Sequence, residues 1–229
     1  VAASVILGPD TVFPGLNDSK CLTAERREIL SKQIKEAAVD VTVGSASPEE
    51  IDRLNILQAS LLAMRRALAN HSVRPDRVIV DGNQLPGGPF PEIALVDGDA
   101  SSCSVAAASI IAKTTRDRRM RAYHEEFPEY GFDGHKGYAS SDHIEALRSF
   151  GPCPIHRRSF RTVANLLQGR SDDFAVYETG IEQAGDLKAL EAIGRSIAEA
   201  RDCLPSEELK ELRSLFSRKR DRLNRAGPK

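Results

Sequence analysis

Two aspartates stand where a chain of this kind can do metal chemistry. Asp81 closes the β-branched run Arg77–Val80 and precedes Gly82, and Asp99 follows a second such run, Ile93–Val96, just ahead of a long helical pattern. In open α/β sheets functional groups gather beyond the carboxyl ends of the strands. Two carboxylates converging there offer the hard oxygen ligands that a divalent cation takes. Each residue has a plainer reading as well. Asp81-Gly82 is an ordinary turn dipeptide, and Asp99 fits the N-cap of the helix behind it. A second group is basic. Residues 113–161 hold ten Lys and Arg against seven Asp and Glu. The cations concentrate in Arg116–Arg121 and in His156-Arg157-Arg158-Ser159-Phe160-Arg161. Together with His135-Lys136-Gly137-Tyr138 they interleave charge and rings, a pattern that contacts phosphate and stacks on a sugar or base. A solvated helix face with a loop-tying arginine accounts for the same residues.

The elements that must position these groups alternate. Val1–Leu7 is a continuous apolar run stopped by Gly8-Pro9-Asp10 and predicts a buried strand. A helix is expected from Thr23 to about Ala38, then a short strand over 39–43. Ser47-Pro48-Glu49-Glu50 combines an N-cap, Pro at the first helical position and the capping-box Glu, so a helix starts there and carries Leu54, Leu57, Leu61, Met64 and Leu68 on one face. One long helix is expected from about Ser101 to Phe127, small and apolar in its first half, charged in its second. Helices over about 140–150 and 161–167 follow the glycine-rich loop. This alternation predicts a three-layer α/β domain through about residue 168, a linker over 169–182, and a helical extension over 183–229 whose hairpin is divided at Pro205.

The 229 residues suffice for one sizeable core and an appendage. Net charge is −1, so an affinity for nucleic acid has to come from local segregation of charge. The four cysteines, Cys21, Cys103, Cys153 and Cys203, lie at least fifty residues apart, which excludes zinc-finger spacing. Scattered thiols without a secretory signal suit a reducing cytoplasm, and no apolar run approaches the ~20 residues of a membrane span.

Several phrases in one order are more specific than either aspartate alone. LNDSK (16–20), EEIDRLNILQASLLAMRRAL (49–68), VIVDGNQLP (78–86), DASSCSVAAASIIAKTTRD (99–117), HKGYASSDHIEAL (135–147) and HRRSF (156–160) resemble ribonuclease HII, the type 2 ribonuclease H family. The resemblance implies a ribonuclease H-like three-layer α/β/α fold with a mixed sheet. It implies an endoribonuclease that cuts RNA in RNA–DNA hybrids, including single ribonucleotides embedded in duplex DNA, a step of ribonucleotide removal in DNA repair. The family's four acids hold two Mg²⁺ or Mn²⁺ ions, one activating a water and the other stabilising the departing 3′-oxygen. Asp81 and Asp99 match the third and fourth of these acids, as catalytic and metal-binding residues. Tyr138 matches the tyrosine that stacks on the sugar beside the cut, in the context GYAS where GYGT is commoner. Lys20, Lys136 and Arg157 fall in matching phrases as substrate-binding candidates. No membrane and no obligate protein partner is inferred.

The sequence departs from the family at one point. No DEAGRG phrase is present, the phrase that carries the first two acids on the first, central strand. The expectation is that the catalytic domain is incomplete at its N-terminus and that this polypeptide has no appreciable nuclease activity. Arg77–Val80 and Val1–Leu7 should lack a shared neighbour and leave open edges that invite aggregation. A non-catalytic binder of RNA–DNA hybrids is the alternative, to be distinguished by the codons upstream of Val1. Another ribonuclease H-like nuclease such as an integrase explains the carboxylates but not HKGY or HRRSF. The extension is electrically split: residues 169–209 carry a net −6 and residues 210–229 a net +6. Mutual pairing in a hairpin is the favoured expectation, and a grip on duplex nucleic acid the other.

Overall fold

The structure, a computed structural model, describes residues 1–16 and 18–226. It divides into two compact units, Val1–Arg158 and Ser159–Lys229.

In the first unit β1 (Ala2–Ile6) pairs antiparallel with β2 (Asp40–Gly44), Val5 opposite Val41. Between them runs α1 (Ala24–Ala37), capped by Thr23, which accepts from the Arg26 amide. Gly44 ends β2 against α3 (Ile56–Ala69). A Cβ there would lie 2.0 Å from the Ala63 carbonyl oxygen, so only glycine lets strand and helix backbones meet. The capping box at Ser47 and Glu50 starts α2 (Pro48–Leu54), as its sequence predicts. The Glu50 carboxylate also takes two bonds from Arg66 at 2.7 Å, tying α2 to α3. The expected single helix breaks at Asn55. Its φ of 71° reverses the chain, and its side chain caps α3 through the Gln58 amide.

β3 (Val78–Asp81) and β4 (Glu92–Leu95) form a parallel pair with Asp81 opposite Leu95. The expected helix from Ser101 is also two: the single turn α4 (Gly98–Ser101) and the long α5 (Cys103–Glu126), separated by extended backbone at Ser102. The small residues Ala106 and Ala107 let α5 pack closely, and Ala107, Ile110 and Ile111 join Val5, Leu30 and Ile34 in a core closed to solvent. A 3₁₀ turn (Pro128–Tyr130), the one-turn α6 (Phe132–His135) and α7 (Ser141–Phe150) complete the unit.

The architecture is α/β and mostly helical, and among the described residues its strands form two small sheets, antiparallel β1–β2 and parallel β3–β4, so that β1 and β3 lack a shared neighbour as expected. Among the described residues, the free edges of β1 and β3 pair with no strand. A cavity of about 430 Å³ lies between them, lined by residues 1–6 and 77–81 and by Ser104, Val105, Ala108 and Lys113 of α5. The physical reason for two sheets is in those edges. A ladder needs a partner strand within about 4.8 Å, and the cavity lined by both strands lies between β1 and β3.

The second unit is helical: α8 (Arg161–Leu167), α9 (Asp172–Gln183), α10 (Leu187–Glu199) and α11 (Ser206–Ala226). The expected linker over 169–182 is therefore mostly α9. Ser171 caps it through the Phe174 amide, and Phe174 and Ile181 are buried with Leu190, Ile197, Leu204 and Leu212. The acidic run 171–173 that reads as a linker is a helix start, where carboxylates favour the helix dipole. The boundary consequently falls before α8, earlier than the expected residue 168.

Candidate active site

Asp81 ends β3, and its Oδ1 accepts from the Gly98 amide at 3.0 Å, which docks the next acidic turn onto the strand end. Asp97 makes that turn with φ 53°, and Asp99 is in the first turn of α4. The N-cap of α5 is Ser102, so the plainer reading of Asp99 as its cap does not hold. A third carboxylate, Asp18, arrives from the LNDSK loop. Its position follows from the bonds that hold the loop. Ser19 Oγ meets Ser109 Oγ of α5 at 2.9 Å, and Arg27 donates to the carbonyls of Ser19 and Leu22. The Lys20 amide donates to Asp18 Oδ1 at 2.9 Å.

These groups sense one another. Burial raises the Asp99 carboxyl above the usual range for aspartate, and the charges of Asp18 and Asp81 push it in the same direction. Lys20 pulls it down, and a hydrogen bond with Asp18 again favours the protonated acid. The expected pair Asp81 and Asp99 is thus near enough to interact through charge, and Lys20 acts on Asp99 in the opposite sense. Asp18 is an addition that reading the sequence missed, although it lies two residues from Lys20 in a phrase already singled out. In donor chemistry the carboxylates fit a hard divalent cation. They are not a complete ligand set: among the described residues, no group of three or more His, Cys, Asp or Glu is arranged to hold an ion.

A second cluster forms around the glycine-rich loop. Tyr138 is 64% exposed, with Lys113 Nζ over its ring 5.9 Å from the centroid. Its backbone is held by histidines that sequence reasoning left without a role. The Tyr138 carbonyl accepts from His143 Nδ1 at 2.8 Å, His143 Nε2 is 3.0 Å from His156 Nε2, and His156 Nδ1 accepts from the Cys153 amide at 3.0 Å. The outer two bonds settle the middle one: a carbonyl only accepts and an amide N–H only donates, so neutral His156 donates through Nε2 to neutral His143. Burial lowers the His156 imidazole to about 4, with the charge of His143 adding to it. Burial lowers His143 too. His135 stacks on His143 with ring centroids 4.4 Å apart and bonds the Tyr130 carbonyl. Of the other candidates, Lys136 turns its ammonium onto the Asp133 carbonyl and adopts φ 52° at the end of α6. Arg157 follows His156 and is half-buried. Helix α5 spans both clusters: Ser104 and Arg116 line the cavity beside Asp81, and Arg116 donates to the Lys136 carbonyl at 3.1 Å.

The ribonuclease HII family model matches residues 1–163. The chain belongs to the ribonuclease HII family. It is 51% identical over 167 residues to ribonuclease HII of Idiomarina loihiensis, a match covering 73% of this chain and 89% of that protein. It is 53% identical over 167 residues to the Delftia acidovorans enzyme, covering 73% and 71%. Among solved structures it resembles ribonuclease H2 of Pyrococcus horikoshii, with TM-score 0.58 and 28% identity over 68% of this chain and 81% of that one. It also resembles the Archaeoglobus fulgidus structure of a PCNA:RNase HII complex, with TM-score 0.50 and 25% identity over 64% and 78%. Membership in ribonuclease HII carries ribonuclease H activity on RNA–DNA hybrids and a dependence on divalent metal. The matched region ends inside α8, and α9–α11 lie outside it.

Proposed function

We propose that this ribonuclease HII, given a full set of metal-binding acids, cleaves RNA within RNA–DNA duplexes, including single ribonucleotides in duplex DNA, by phosphodiester hydrolysis assisted by two divalent ions, Mg²⁺ or Mn²⁺. The observation that carries this reading is the convergence of Asp81 and Asp99 from two successive strand ends, close enough that the charge of one raises the proton affinity of the other. Bound divalent ions would supply Lewis-acid stabilisation of phosphate charge and a more acidic water. Asp81 and Asp99 would be the protein's ligands to them. Lys20 would offset phosphate charge beside the acids, and exposed Tyr138 would stack on a sugar of the duplex, where a 2′-hydroxyl distinguishes RNA from DNA. Cytoplasmic residence is proposed with this function, on four free cysteines.

Asp81, Asp99 and the neighbouring Asp18 carry three charges against the four of two divalent cations, so the 229 residues by themselves are expected to bind metal, with cleavage requiring further acids. The test has two readouts. Mn²⁺ titration should show binding to the wild-type polypeptide that weakens at least about tenfold in Asp81→Asn/Asp99→Asn, since each removes a charged ligand. Equal Mn²⁺ affinity in both proteins rejects the metal roles. Incubation with Mn²⁺ and a duplex bearing one ribonucleotide should leave the duplex intact, and robust cleavage refutes the requirement for further acids.

A further inference from the structure

Helices α9–α11 of the second unit lie beyond the family match, and the outer arginines of α11 have no ion-pair partner among the described residues. Helix α11 packs its inner face through Leu212, Leu215, Phe216 and Leu223. Phe216 sits over Gly194 of α10, where a Cβ would come within 2.7 Å of the ring. Lys219 fastens the helix further by donating to the Glu182 carbonyl at 2.7 Å. With that face fixed, 3.6 residues per turn place Arg213, Arg218, Arg220, Arg222 and Arg225 around the outer arc, and all five are exposed. Asp221 is the one acidic residue among positions 213–225, against six basic ones.

The unit's own acids do not neutralise this arc, contrary to the favoured expectation of a self-paired hairpin. Four of them are engaged elsewhere, by two arginines and a helix cap. Arg170 reaches Glu178 at 3.6 Å and Glu211 at 2.7 Å, and Arg161 pairs with Glu182. Glu208 accepts from Ser171 through both its amide and its hydroxyl. Among the described residues, none of the five outer arginines forms an ion pair. Keeping five guanidinium groups within 13 consecutive positions of one helix costs self-repulsion, which a polyanion relieves.

We propose that the outer face of α11 is a second nucleic-acid contact, gripping the phosphate backbone of the duplex without reading its sequence. Positions 213 to 225 span about 18 Å of helix axis, roughly the rise of five base pairs. The choice of phosphate follows from the side chains. Arginine presents a planar fork that binds phosphate oxygens in pairs, and five of the six cations are arginine. No aromatic side chain stands on this arc to stack on bases, so the grip is electrostatic and indifferent to sequence. The proposal rests on the reading above that the substrate is a duplex, but not on the metal site.

The test is salt-dependent binding of the full chain to a fluorescent RNA–DNA hybrid of about 20 base pairs, without divalent metal. The variant is R213Q/R218Q/R220Q/R222Q/R225Q, compared with the same five positions changed to Lys. Each phosphate that the protein no longer neutralises should reduce the slope of log affinity against log salt by about 0.9. Releasing three phosphates thus removes about 40-fold from the affinity change between 50 and 200 mM salt. The Lys variant should keep the wild-type slope, and all three proteins should melt together because the positions are exposed. An unchanged slope in the Gln variant overturns the proposal. So does a slope that falls equally in the Lys variant, or polyglutamate binding that weakens while hybrid binding does not, which would mark an acidic protein as the partner. Asp81→Asn/Asp99→Asn should leave the slope at least as steep, so failure of the metal site and failure of this face give different results.

Discussion

Lowering the pH should loosen the first unit through one ring. His156 donates to His143, which donates to the Tyr138 carbonyl, and the chain of bonds works only while both rings are neutral. The folded His156 titrates at about 4 against an ordinary 6.5. The unfolded chain therefore takes up a proton between these values that the folded chain refuses. The stability held by the neutral ring is fully present above pH 6.5 and is lost as pH falls toward 4. Between pH 7 and pH 5 the full shift is worth about 2 kcal/mol. His156 is half-exposed, and water screens part of that, leaving about 1 kcal/mol. For a chain of this size about 1 kcal/mol corresponds to roughly 2–4 °C of melting temperature. The groups facing the ring set the controls: His143, the Cys153 thiol, and the Tyr130 and Phe132 rings at 5.1 and 5.5 Å. His156→Gln retains a donor but does not titrate. Thermal melts at pH 7 and pH 5 should show the wild type losing roughly 2–4 °C more than the variant. Identical losses in the two proteins would mean that the chain of neutral imidazoles is not what resists acid.

Further outcomes follow from single contacts. Asp18→Asn removes a like charge from Asp99, so the Asp99 carboxyl should titrate lower, visible by carbon-detected NMR; a higher or unmoved value contradicts the convergence of the three acids. Gly44→Ala places a Cβ against the backbone of α3 and should cost about 3 kcal/mol or more in urea unfolding, whereas Gly134→Ala, with open space around it, should cost under about 1 kcal/mol. Leu212→Ala empties a fully buried position in the second unit and should cost about 2–5 kcal/mol, read as earlier proteolysis of residues 159–229. The unpaired edges of β1 and β3 should make the polypeptide associate at high concentration; a monodisperse monomer in sedimentation velocity, melting cooperatively, counts against this.

Much of this protein was legible along the chain because the signals are local. The capping box at Ser47 and Glu50, the helix over about 140–150 and the β-branched run ending in Asp81 are each set by a few neighbouring residues, and the structure has each in place. Asp81 and Asp99 could be nominated because both follow strands. Helix breaks at Asn55 and Ser102 escaped notice: each depends on one backbone rotation that neither hydrophobic spacing nor residue type dictates. The arrival of Asp18 beside Asp99 needed the tertiary structure, since Ser109 and Arg27 hold its loop from 90 and 8 positions away. The imidazole chain likewise joins residues brought together by turns, and its polarity follows from which backbone group stands at each end. In the second unit the sequence alone displayed the segregation of charge. Only packing decided its consequence: the core under Leu212 and Phe216 fixes which arc of α11 meets water, and Arg161 and Arg170 engage Glu182, Glu178 and Glu211 away from it.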